Sequence, residues 1–145
     1  MISLNLKILA LRNLTDNYYI QFIIKNIIMI TRRIYDVMTC NNVLTKLVEQ
    51  QINFSINIAY KLHKLKNELD EIEQLIFQRW ELLFGENFDA DTFTQEEITA
   101  YNLTLEAEVN IDIYDLKIDD IISNKQVKLT IDEVGIIDKF LEINK

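Results

Sequence analysis

Residues 58–76 read Ile-Ala-Tyr-Lys-Leu-His-Lys-Leu-Lys-Asn-Glu-Leu-Asp-Glu-Ile-Glu-Gln-Leu-Ile, and in them Ile58, Leu62, Leu65, Leu69, Ile72 and Ile76 recur at alternating four- and three-residue steps. That rhythm is a heptad seam, the signature of a helix burying one narrow stripe. Leu44 and Val48 before it and Leu83 after it keep the register, across a polar gap at Gln51 and Ser55. No Gly or Pro interrupts the pattern before Gly85, which stands where a left-handed C-cap residue ends a helix. The spacing predicts one long helix over 43–84, a rod of roughly 60 Å at 1.5 Å per residue. Such a rod needs a second helix along it. Leu62, Leu65 and Leu69 would then be covered by antiparallel packing against residues 18–37, or by a second copy in a homo-oligomer.

On the N-terminal side, Ile20, Ile23, Ile24, Ile27, Ile28, Ile34 and Val37 recur at three- and four-residue intervals, as one face of an amphipathic helix does. The apolar run over 20–30 is shorter than the roughly 20 residues a bilayer requires and carries Lys25 near its middle. No membrane span is expected. Arg32 and Arg33 follow the apolar run, the reverse of a secretory signal, so the expected location is the cytoplasm. Residues 1–37 are read as an Ile-rich segment facing the core or a partner, as a membrane-surface helix, or as an extension ahead of a start at Met29 or Met38. Residues 38–145 are read as the single domain.

On the C-terminal side, Thr94-Gln-Glu-Glu97 and Thr130-Ile-Asp-Glu133 both match the capping box that opens a helix. They predict a short helix over about 95–104 and a closing helix with Val134, Ile137, Phe140 and Leu141 on its apolar face. Between them, Leu105, Ala107, Val109, Ile111 and Ile113 alternate with polar residues, the period of a half-buried strand. Val127, Leu129 and Ile131 repeat that period, so the two runs are expected to pair in a small antiparallel sheet. The fold class expected is α+β, mainly α: a long central helix packed with an amphipathic N-terminal helix, a two-stranded sheet and a C-terminal helix.

Composition narrows the chemistry. The 145 residues hold one Cys, one His, two Gly and no Pro, which excludes disulfide frameworks, Cys-based zinc sites, multi-His metal centres and Gly-rich phosphate loops. Cys40 has no histidine near it in sequence and reads as a buried structural residue. His63 has Asn67, rather than a carboxylate, four residues on, and reads as a surface residue. No catalytic, cofactor-binding or metal-ligating set emerges, and the chain is read as a non-enzyme without cofactor.

Charge supplies the remaining signal. The formal net charge is −8, and residues 86–124 hold eleven acids against one base, Lys117. Glu106, Glu108 and Asp112 head the candidate interaction residues on this acidic stretch. Glu106 and Glu108, two apart in the expected strand, would share one face about 7 Å apart. A solvated face, a cation site and a docking surface for a basic protein all fit such a cluster. Direct nucleic-acid binding does not, because phosphate neutralisation needs Lys and Arg. Trp80 and the Phe residues at 77, 84, 88 and 93 gather near the end of the long helix, mostly as core, and Arg79 and Trp80 are the residue types that anchor interfaces.

The order of a long helix with Leu-x-x-Glu-Leu-x-x-Ile-Glu at 65–73, an acidic linker, an acidic helix, Glu-Ala-Glu-Val-Asn-Ile-Asp-Ile at 106–113 and a closing Leu-Thr-Ile-Asp-Glu at 129–133 resembles a group of small tailed-phage proteins of unknown function. The resemblance covers roughly residues 45–142. It implies a viral accessory protein acting in the host cell cytoplasm, or a virion-associated assembly protein, and no catalytic residue. The expected function is protein–protein interaction through the acidic surface, with self-association as a structural subunit the alternative.

Overall fold

The polar gap at Gln51 and Ser55 breaks the expected rod in two. In the computed structural model, which describes residues 28–143, the elements are β1 (Met29–Arg33), α1 (Ile34–Glu49), α2 (Ile56–Phe84), a 3-10 turn (Ala90–Thr92), α3 (Gln95–Glu106), β2 (Glu108–Asp112), α4 (Ile118–Ile122) and α5 (Ile131–Leu141). The fold is α+β and mainly helical, with α2 the long central helix. The break has a local cause. Gln51 adopts φ +53°, a left-handed conformation that an α-helix cannot contain. Four residues on, Ser55 accepts a hydrogen bond from the Ile58 N–H at 3.3 Å and restarts the chain as an N-cap.

The break turns the heptad stripe back onto its own chain. α1 and α2 form a hairpin in which Asn41 donates to Asp70 at 2.9 Å, and Cys40, Leu44 and Leu47 share a core with Leu62, Leu65 and Leu69. Leu65 and Leu69 are 0% exposed. The leucines offered as oligomer contacts are therefore spent inside the monomer.

The sheet also differs from expectation. β2 pairs not with 127–131 but with β1, antiparallel, with Ile30 opposite Ile111 and Thr31 opposite Asn110. Residues 29–33 lie in the stretch whose spacing suggested a helix. In so short a stretch helical and extended patterns overlap, and the pairing of Ile30 and Ile111, both buried, decides for the strand. The amphipathic helix starts only at Ile34, with Ile34 and Val37 buried; the rest of that expectation, at 20–27, lies outside the described residues. The strand expected over 105–113 is shorter, since α3 runs on to Glu106.

Residues 127–130 run extended without joining the sheet. Their partner is the link between α1 and α2: the Gln50 side chain donates to the Lys128 carbonyl at 2.7 Å and accepts from the Lys128 N–H at 2.9 Å. Gln126 Oε1 accepts from the Asn53 N–H at 3.1 Å, and Asn124 donates to the Asn53 carbonyl at 3.0 Å. Side-chain amides thus stand in for a ladder, leaving Val127 and Leu129 free to pack on the core. Both expected capping boxes form, at Thr94 with Glu97 and at Thr130 with Glu133. Arg32 closes the far end of α5, donating to the carbonyls of Phe140 at 3.0 Å and of Glu142, where a guanidinium favours the negative helix end.

The two halves of α2 should answer mutation differently. Leu69→Ala removes a fully buried side chain and is expected to cost about 3 kcal/mol, whereas Leu82→Ala, on the far half, should stay within about 0.5 kcal/mol. Urea unfolding of both variants checks the contrast.

Candidate interaction surface

α1 has 16 residues and α2 has 29. With Asn41 opposite Asp70, the start of α1 at Ile34 falls opposite about residue 77, so at 1.5 Å per residue roughly the last 10 Å of α2 runs past its partner helix. One side of that overhang is covered by α3 and the loop before it. Trp80, 2% exposed, lies tilted against Tyr101 at 4.6 Å between centroids, meets Phe77 edge-on at 5.5 Å, and donates its indole N–H to Thr104 Oγ1 at 2.7 Å. Phe84, Phe88 and Phe93 extend the cluster, with Phe84 and Phe93 4.5 Å apart. These rings fasten α3 to α2.

Among the described residues the other side has no cover. Leu75, just before the overhang, and Leu82 within it, seven residues apart and so on one helical face, are 64% and 84% exposed, Leu83 is half exposed, and Arg79 emerges among them. Leu103 on α3 is 68% exposed. Single exposed leucines are ordinary; three within nine residues of one helix are less so. Residues 70–106, which make this arm, carry ten acids and one base, Arg79; two of the acids are ion-paired from outside the stretch, Asp70 with Lys66 and Glu106 with Arg33.

The residues singled out from sequence fall in three places. Arg79 lies on the open face. Trp80 does not: it is core, and its place as a surface anchor passes to the leucines beside it. Glu106 and Glu108 do not share a strand face, because Glu106 ends α3 and is ion-paired with Arg33 at 3.1 Å, while Glu108 opens β2. Arg33 also binds Asp36 at 3.0 Å, so this corner is partly neutralised. Asp112 is half buried and accepts from the Tyr114 N–H at 2.7 Å. Cys40 is fully buried, and burial pushes its thiol pKa up to about 12. His63 is exposed, with Nε2 3.1 Å from Asn67 Nδ2.

Sequence reasoning missed one cluster. Glu68 of α2 accepts the Asp112 N–H at 3.4 Å across 44 residues of chain, beneath Tyr114, which sits at φ +54° in the turn after β2. Burial raises the pKa of Glu68; the hydrogen bonds from the Asp112 N–H and Tyr114 oppose the rise, and the nearby Asp112 charge adds to it. Burial raises Asp112 and Tyr114 as well. No spacing rule connects residues so far apart in the chain. Among the described residues no group of three or more His, Cys, Asp or Glu side chains is arranged to hold a metal ion, and no helix is long and apolar enough to cross a membrane.

In comparisons of the chain with family models, curated proteins and solved structures, nothing matches.

Two outcomes follow from this geometry. Thr104→Val strands the buried Trp80 N–H and should cost about 1–3 kcal/mol by denaturant unfolding. Because the folded-state pKa of Glu68 lies above its unfolded value, its ionisation penalises the folded state at high pH and not below the ordinary carboxylate range. Glu68→Gln should therefore raise the melting temperature at about pH 7 and lose that gain near about pH 3. An equal gain at both would contradict the burial of its charge.

Proposed function

We propose that this chain is a non-catalytic interaction protein, of the tailed-phage accessory kind its sequence pattern resembles, that binds another protein in the host cytoplasm through the acidic arm of α2 and α3. The observation that carries this reading is the pair Leu75 and Leu82, most of their surface in water, on an arm with ten acids and one base. Leucine held in water adds little to the fold and costs solubility, so its recurrence two turns apart on one face is explained by burial in a complex. The acidic surface expected at Glu106, Glu108 and Asp112 thereby moves along the chain to the arm tip, because Arg33 offsets Glu106 and the fold partly buries Asp112.

The alternative, self-association through the long helix, loses its main contacts when Leu62, Leu65 and Leu69 are internal. A second copy meeting the first through the arm would also set two predominantly acidic surfaces against each other. A photoactivatable residue at Leu82, in the cells that naturally produce the chain, should cross-link to a discrete foreign protein. The same residue at Ile131, 90% exposed at the start of α5, should not. No adduct from Leu82, or an adduct containing only two copies of this chain, would overturn the proposal.

A further inference from the structure

We infer that the open face of α2 takes an amphipathic helix whose apolar stripe is flanked by Lys or Arg. The inference rests on the interaction reading above and specifies the chemistry of the partner.

Over residues 74–84, seven of the eleven positions of α2 are apolar: Trp80 and Phe84 pack in the aromatic cluster, while Leu75, Leu82 and Leu83 face water. An apolar stripe wider than its cover is one that a further element can bury. The cover seen among the described residues, α3 and its loop, takes one side. Leu75 and Leu82 stand two turns apart, roughly 10.5 Å along the axis, a repeat that another helix matches with its own residues at i and i+7. An extended strand, repeating every roughly 6.8 Å on one face, does not.

Arg79 is the one basic residue between Lys66 and Lys117; Asp70 is ion-paired with Lys66, but Glu71, one turn before Leu75, and Glu81, beside Leu82, are exposed, as are Glu86 and Glu96. That field repels a second copy, an anionic lipid surface and nucleic acid alike, and attracts a cationic flank. Arg79, among the exposed leucines, asks for one acceptor at the centre of the partner's apolar stripe, which would fix the register of the two helices.

The test uses the full chain and a labelled amphipathic Leu/Lys helical peptide, with a scrambled peptide of the same composition and a Leu/Glu version as controls, followed by fluorescence anisotropy. The Leu/Lys helix should bind, and both controls should bind at least about tenfold more weakly. The decisive variant is Leu75→Glu with Leu82→Glu. It adds two negative charges, so attraction by charge alone would strengthen, whereas helix docking should weaken by about tenfold or more. Circular dichroism checks that the variant keeps its fold, as expected for two exposed positions. Equal or tighter binding by the variant, or equal binding of the scrambled peptide, would overturn the inference. If the Leu/Lys helix fails to bind while Leu82 still cross-links to a foreign protein, this inference falls and the interaction reading stands; if the cross-link also fails, both fall.

Discussion

The structure depends on how an apolar stripe along a 29-residue helix is kept from water. A stripe that long cannot be left exposed, and the chain covers it by breaking its helical run at 50–55 and folding α1 back along α2. The hairpin places Cys40, Leu44 and Leu47 against Leu62, Leu65 and Leu69. The remaining elements are arranged around that contact. The link at the break needs hydrogen-bonding partners, and residues 124–128 supply them through Gln50, Asn124 and Gln126. β1 leads directly into α1 and draws β2 alongside it, and Arg32 on β1 in turn holds the end of α5.

The same constraint accounts for the arm. α1 is the shorter helix, so its cover runs out before α2 ends, and the aromatic cluster around Trp80 extends the cover along one side only. What is left is a helical end with leucines in water and a strongly negative surround. Burial is thus uneven along one helix: its first half is covered by α1, while in its second half Trp80 fastens α3 and Leu75 and Leu82 lie in water.

Much of the architecture was legible in local pattern. The heptad spacing marked the helix that became α2, the capping boxes at Thr94 and Thr130 placed two helix starts, and the absence of histidine beside Cys40 fitted a buried thiol. The misreadings have a common physical source. The run 28–33 scans as helical because a few apolar residues in a short stretch fit both periods, and 127–131 scans as a strand although side-chain amides satisfy its neighbours instead of a ladder. Trp80 and Glu106 read as surface groups because residue type says nothing about what lies opposite. The Glu68 and Asp112 contact, spanning 44 positions, carried no signal at all.

By itself the sequence determined the composition limits on chemistry, the mainly helical class, the caps and the acidic bias, because each of these is set by residues within a few positions of one another. Only the tertiary structure decided where the helix breaks pay off, which strand β2 finds, and which leucines remain in water. Those outcomes turn on how far α1 reaches along α2, and that is a property of two helices laid side by side rather than of any stretch of chain.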